Sequence, residues 1–502
     1  MLWAPRDAHM GDPTIIRVGE EYHLFAEQSP ASWGGDVNRG FAGVRTVCHA
    51  VSKNLFEWEE LPNTICCGPE GSFDAYSIYH MDVMVHEGVW HMFYTGLDGG
   101  GPGQQQAIGL ATSRDGLTWQ KHPANPILRA DPRWYEPAIP REATYQEKDF
   151  GRLWFRDPCV IRDPRTGRFG MIVVARDTRH HPDVRGCLAW ATSEDLVRWE
   201  PRPPIYSPGR FHTIETPSLF EHDGRWYIQF MTAPHWGTPL LMTDPYQDAG
   251  DFYAVSESGP EGPYLRPPDE VVVAAHRDVR MGASRTVAGP DGERYFYGWL
   301  RLTPAEGDAP SRRPWKQVLP PPRRVRFLHD GQMQVVYHEG IERYASPLPS
   351  PDLRPVSAAD HWRLDGRWTG KRFDGPSMVL STTDHGDVVF SAHLRFLRGE
   401  RAGVVLRSEA TGSVGWQVVA DRRLQRVEFG LLGSERFVDA RHWTQEEQLD
   451  LKVVAYQESV EVYADDRLMI HQVRHRETSG ALGLLVERAE AEFGPLRLMR
   501  FR

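Results

Sequence analysis

Ala111-Thr112-Ser113-Arg114-Asp115-Gly116-Leu117-Thr118-Trp119 returns as Ala191-Thr192-Ser193-Glu194-Asp195-Leu196-Val197-Arg198-Trp199, and an earlier copy reads Ala50-Val51-Ser52-Lys53-Asn54-Leu55-Phe56-Glu57-Trp58. A segment that recurs this way marks a fold built from one repeated supersecondary unit. Ahead of these copies lie the aromatic-rich runs Tyr22-His23-Leu24-Phe25, Trp90-His91-Met92-Phe93-Tyr94 and Phe169-Gly170-Met171-Ile172-Val173. Two further runs of the same kind are Trp226-Tyr227-Ile228-Gln229-Phe230 and Tyr295-Phe296-Tyr297-Gly298-Trp299. Each follows another apolar strand across a Gly-bearing turn, at Gly19, Gly88, Gly167, Gly224 and Gly292, which reads as a β-hairpin. Five such units of about four strands each predict a five-bladed β-propeller over residues 1–338. The Pro-rich passage 339–355, with Pro347, Pro349, Pro351 and Pro355, reads as a linker. Beyond it the strands alternate plainly, as in Asp387-Val388-Val389-Phe390-Ser391-Ala392-His393-Leu394, so residues 356–502 are expected to form an antiparallel β-sandwich that packs against the propeller.

The 502 residues suffice for two or three domains with ample core. Lys+Arg 58 against Asp+Glu 68 leaves a net charge of −10 with no basic stripe, which argues against a nucleic-acid or membrane partner. No apolar run approaches the roughly 18 residues of a membrane span, and an aromatic content of 11% excludes low-complexity disorder. The cysteines Cys48, Cys66, Cys67, Cys159 and Cys187 are odd in number and lack a C-x-x-C pair, so reduced thiols are expected. The first residues show no basic segment followed by an apolar one. Together these features predict a cytoplasmic protein.

In a propeller the first strand of each blade lines the central channel. These strands open Asp12-Pro13-Thr14, Asp82-Val83-Met84, Asp157-Pro158-Cys159 and Glu215-Thr216-Pro217, whereas the fifth carries Arg280-Met281-Gly282. A strand-start Asp often only caps a turn. Four acids converging on one channel repel one another instead, raising at least one pKa and dividing the set into proton donor and anion. That division suits glycosidic bond cleavage, by retention or inversion. His9, His49, His80 and His212 could add to a cation site, but H-E-x-x-H and EF-hand patterns are absent, so no metal and no cofactor are expected. Neither G-x-S-x-G nor a phosphate-binding loop is present, and Gly99-Gly100-Gly101-Pro102-Gly103 reads as a flexible loop. The loops on the same face carry Gln28 and Trp33, Gln104 to Gln106, His180 and His181, and His235 and Trp236. Trp faces suit the apolar side of a sugar ring and amides reach its hydroxyls, so an oligosaccharide, polysaccharide or small glycoside is the expected partner.

These residues resemble glycoside hydrolase family 32, the β-fructofuranosidase group. Its W-M-N-D-P-N-G segment followed by Tyr-His-Leu-Phe is similar to His9-Met10-Gly11-Asp12-Pro13-Thr14 ahead of Tyr22-His23-Leu24-Phe25; its R-D-P is intact in Phe155-Arg156-Asp157-Pro158, and its E-C-P resembles Glu215-Thr216-Pro217. Val47-Cys48-His49-Ala50, Phe93-Tyr94-Thr95-Gly96, Asp251-Phe252-Tyr253-Ala254 and Gly298-Trp299 fit further segments. The resemblance implies a retaining mechanism with Asp12 as nucleophile, Glu215 as acid/base and Asp157 as transition-state stabiliser. It implies substrate contacts from Arg156, with Gln28, Trp33, His49, Asp82 and Trp236 as further candidates. The chain departs from the family at Gly11 and Thr14-Ile15, and Phe73-Asp74-Ala75-Tyr76-Ser77 replaces Phe-Ser-Gly-Ser; Asp82 is expected to supply the contact that Ser would have made. An inverting arabinan- or xylan-type furanosidase, a fructosyltransferase and a non-catalytic carbohydrate-binding propeller are the alternatives. A retaining pair sits about 5–5.5 Å apart and an inverting pair roughly 6.5–9.5 Å.

Overall fold

The computed structural model describes residues 2–30, 46–99, 105–137, 154–232, 250–274, 281–302, 317–356, 361–434, 437–443, 447–474 and 478–502. Four separate antiparallel sheets follow one another. The first is β1 (Ala8–Val18), β2 (Glu21–Pro30), β3 (Thr46–Ser52) and β4 (Glu59–Leu61). The second is β5 (Ser77–His86), β6 (Val89–Leu97), β7 (Gln106–Ser113) and β8 (Gln120–Lys121). The third is β9 (Arg156–Arg162), β10 (Phe169–Arg176), β11 (Gly186–Ser193) and β12 (Glu200–Tyr206). The fourth is β13 (Glu215–His222), β14 (Arg225–Thr232), β15 (Gly250–Ser256) and β16 (Val271–Ala274). Within each, strands pair in chain order. Glu87-Gly88 and Asp223-Gly224 turn two of the hairpins with both residues at positive φ, the twist that matches flanking strands.

The repeated nine-residue segment has a local cause. Ser52, Ser113 and Ser193 each accept the backbone N–H three residues on at 2.9 Å, from Leu55, Gly116 and Leu196. Asn54, Asp115 and Asp195 then accept N–H groups of the following turn. Trp58, Trp119 and Trp199 close it by donating their indole N–H back to the carbonyls of Leu55, Gly116 and Leu196. Side-chain acceptors thus replace the strand ladder where the chain leaves the third strand.

The fifth unit comprises β17 (Met281–Ala288), β18 (Arg294–Arg301), β19 (Gln317–Val318) and β20 (Arg323–Phe327). It is not a separate sheet. β20 pairs with β21 (Met333–Val336), and β21 meets the strand Arg467–Val473, so these strands belong to one 17-stranded antiparallel sheet that fills the C-terminal part. An unpaired edge is covered here by the next segment of the same chain. First strands stand side by side around an axis, β1 beside β5, β5 beside β9, β9 beside β13, β13 beside β17 and β17 beside β1. The chain is all-β, with a propeller arrangement of sheets and one large sheet. Among the described residues no helix is long and apolar enough to cross a membrane.

The expected linker is built into the C-terminal sheet. Its strand Ala345–Leu348 pairs with Leu498 to Phe501, and Leu353–Pro355 pairs with Val379 to Ser381. Both segments are short enough for their prolines to cost few ladder bonds. The fully buried Arg441 donates to the carbonyls of Val271 and Val272 in β16, and Arg467 pairs with Asp269, fastening the large sheet to the fourth.

Candidate active site

Every first strand carries a β-bulge at the same end. Pairing with the second strand slips between Met10 and Pro13, Tyr79 and Met81, Arg156 and Cys159, Glu215 and Ser218, and Gly282 and Arg285. Asp157, Thr216 and Ala283 adopt φ of 58°, 45° and 48° inside these bulges. A bulge re-aims side chains at the rim of a sheet. The acids expected to share one register are therefore offset. Asp12 lies within its bulge, Asp157 opens its own, Glu215 stands just before one, and Asp82 falls beyond, deeper along β5.

Asp12, Asp157 and Glu215 converge on Arg156. Its guanidinium ion-pairs with Glu215 and lies 3.5 Å from Asp157 Oδ2, with its carbon 3.8 Å above the Trp154 ring centroid. Asp157 is buried; its Oδ2 accepts the Thr216 N–H at 2.9 Å and its own N–H donates to Thr95 Oγ1 at 3.0 Å. Asp12, half-buried, accepts the Trp299 indole N–H at 2.7 Å. Trp299 reaches it because Gly282 leaves room: a Cβ there would stand 2.5 Å from the Trp299 ring.

Burial dominates the electrostatics. It lifts Asp12 to about 7, helped by the Asp157 charge and opposed by Trp299 and Arg156. Glu215 rises to about 8, because burial and the neighbouring Asp157 and Asp12 outweigh the single Arg156. Asp157 is raised by burial against the pull of Arg156 and the Thr216 N–H. The site therefore holds an acid that keeps its proton longer than the neighbouring carboxylate, the pattern that separates acid from nucleophile.

Several expected residues sit elsewhere. Asp82 is held on both of its oxygens by other strands. One of its oxygens accepts Arg285 Nη1 at 2.9 Å and the other the Val160 N–H at 2.7 Å. Arg285 also donates to Thr14 Oγ1 and the Pro217 carbonyl, so one buried arginine ties β1, β5, β13 and β17 around the axis. His49 is fully buried, stacked on Phe25 at 4.3 Å and bonded to His23 at 3.0 Å, with burial lowering it to about 3; it packs inside the first sheet and not in the site. Gln28 neighbours the site through Glu27, but successive strand residues point to opposite faces. Glu27 is the one whose carboxyl feels Asp12 and Asp157. Trp33, Trp236, Gln104, His235 and Arg280 lie outside the described residues. Trp299 and Glu27 escape a reading of the sequence. The Gly298-Trp299 pair is visible there, but nothing local tells which strand an indole will cross to.

Residues 3–338 match the glycosyl hydrolases family 32 N-terminal domain. The chain belongs to glycosyl hydrolase family 32. It is similar to a levanase of Bacillus sp. (strain L7), 24% identical over 388 residues covering 72% of this chain and 36% of the levanase. A levanase of Bacillus subtilis (strain 168) is likewise 24% identical, over 69% of this chain and 46% of its own length. This family 32 chain thus spans less than half the length of either levanase. In fold it is similar to the solved sucrose-6-phosphate hydrolase from Lactobacillus gasseri, with TM-score 0.70 at 16% identity, covering 99% of this chain and 91% of that one.

Proposed function

We propose that this chain is a retaining glycosidase acting on furanosidic, foremost β-fructofuranosidic, bonds of an oligosaccharide, polysaccharide or small glycoside. Asp12 attacks the anomeric carbon while Glu215 protonates the departing oxygen; Glu215 then deprotonates the water that releases the sugar from Asp12. Asp157, buried and fixed by Thr216 and Thr95, takes ring hydroxyls and steadies the oxocarbenium-like transition state. Arg156 holds Glu215 in place and offers its remaining donors to substrate. The observation that carries this reading is the trio itself: Glu215 buried enough to stay protonated, beside an Asp12 steadied by an indole N–H. Asp82, paired with Arg285, is read as a strut instead of a sugar contact.

We further read β17–β20 as a fifth blade, since β17 stands between β13 and β1 and carries the same bulge. On that reading residues 1–338 are a propeller and the C-terminal sheet is a β-sandwich whose first strands come from 339–355. Five free thiols, three of them buried, suit a reducing compartment such as the cytoplasm.

The test is a panel of sucrose, levan, inulin, arabinofuranosides and aryl-fructosides, with product anomers followed by NMR for wild type, Asp12→Asn and Glu215→Gln. Retained configuration with both variants inactive on natural substrates is the expected result. Inversion would reassign the chain to arabinanase-like chemistry, and binding without turnover by wild type would make it a carbohydrate-binding protein. Products longer than the donor would make it a transferase.

A further inference from the structure

Gly11 precedes Asp12, and its backbone does not require glycine: its φ lies outside the left-handed range. What excludes a side chain is Glu27. A Cβ on residue 11 would stand 2.6 Å from Glu27 Oε2 and 2.7 Å from Glu27 Cβ. The bulge explains the approach. β1 and β2 pair Met10 with Gln28 and then Pro13 with Ala26, so Glu27 has no single partner on β1 and faces the Gly11-Asp12 step. On its other side it pairs with Val47 of β3.

Glu27 is 3% exposed. The cations nearest the axis are already engaged, Arg156 with Glu215 and Asp157, and Arg285 with Asp82. The groups facing Glu27 are the carboxylates of Asp12 on β1 and Asp157 on β9, the Arg156 guanidinium, and the backbone N–H of His80 on β5. His80 itself is fully buried and kept neutral by that burial and by Arg285. Glu27 has no ion-pair partner among the described residues, and a buried carboxylate set that way beside two others is costly, so the inexpensive state is the neutral acid. Burial and the Asp12 and Asp157 charges push Glu27 well above the usual carboxylate range, in the same direction.

We propose that Glu27, seated in the space that Gly11 leaves, is a positioning residue of the furanoside pocket that keeps its proton and acts as a hydrogen-bond donor beside Asp12. This rests on the reading of Asp12 as nucleophile. The donor orients Asp12 and the sugar hydroxyl next to it, and neutrality spares the attacking carboxylate a third like charge. When Glu27 ionises, both effects are lost together. Gly11 and Glu27 therefore work as a pair.

The test compares wild type with E27Q, E27A, G11A and G11A/E27A on an aryl-fructoside. An amide replaces the acid hydroxyl as donor, so E27Q should lower kcat/KM at pH 6 by less than about fivefold, whereas E27A should lose about 30-fold, the range for a buried hydrogen bond to a charged group. G11A, which displaces Glu27, should lose as much as E27A, and the double variant little more than either. Above neutrality the wild-type profile should fall more steeply than that of E27Q, a change that a merely structural role would not produce. Equal losses in E27Q and E27A would overturn the proposal, as would E27A matching wild type or additive losses in the double variant. Should wild type turn over no furanoside, the glycosidase reading fails, and the Glu27 state is then judged on the full chain by carboxyl carbon-13 NMR. A neutral glutamate signal at pH 7 that vanishes in E27Q supports it, and an ionised one overturns it.

Discussion

Trp299 and Asp12 are 287 positions apart in the chain and share one 2.7 Å hydrogen bond. That bond lowers the Asp12 pKa against burial, so Trp299→Phe should raise it. The expected outcome is an acid limb of kcat/KM displaced upward from about 7, with activity reduced about tenfold at pH 6, measured as a pH–rate profile. The wild-type profile should be bell-shaped. On the proposed roles, Asp12 protonated below about 7 would not attack, and Glu215 above about 8 would have lost the proton it is to donate. Glu215→Gln should cost about 10²–10⁴ in rate on sucrose-like leaving groups. A good leaving group should restore the first step and remove the alkaline limb. Failure of that rescue would deny Glu215 the role of acid.

Between residues and the whole stand the first strands. Their repeated bulges set which neighbour each acid meets, and Arg285 locks their register. Arg285 is almost fully buried and serves Asp82, Thr14 and Pro217 at once. Arg285→Met should cost about 3–5 kcal/mol in unfolding free energy, since it strands Asp82 as an unpaired buried charge. Arg285→Met combined with Asp82→Leu should recover part of it. Denaturant titration with an unchanged m-value checks both. The double variant also separates a strut from a sugar-binding group, because removing a group that holds substrate would leave KM raised even where stability returns. The third-strand turns offer a smaller case. Ser193→Ala removes the acceptor of the Asp195 and Leu196 N–H groups and should cost about 1 kcal/mol.

For the molecule as a whole, buried acids and buried histidines oppose each other in pH. Asp12, Glu215, Asp251 and Asp439 have folded pKa values raised to about 7, 8, 8 and 7, above the ordinary values of 3.8 for aspartate and 4.5 for glutamate. Raised acids contribute stability that is fully present below those ordinary values and lost as pH climbs through 7 to 8. His49, His80, His212 and His471 are lowered, so their contribution is present above 6.5 and lost as pH falls. Tm should therefore peak near pH 6 and decline on both sides. Asp12→Asn and Glu215→Gln should flatten the alkaline decline, because the burial that makes the site reactive also destabilises its ionised form. Local signals along the chain suffice for the all-β class, the hairpins and their turns and the Ser-to-Trp closing segments, and they single out Asp12, Asp157 and Glu215 as candidates, because strand alternation, turn chemistry and short motifs are matters of near neighbours. They do not reveal that 339–355 pairs into the C-terminal sheet, how the acids are offset, what Asp82 and His49 touch, or that Glu27 approaches Gly11. Those depend on bulges, on which sheet edge finds which partner, and on the depth at which a side chain ends. Such facts exist only when strands hundreds of residues apart close around one axis, where burial and the nearest charge decide whether a carboxyl group attacks, donates a proton or braces the fold.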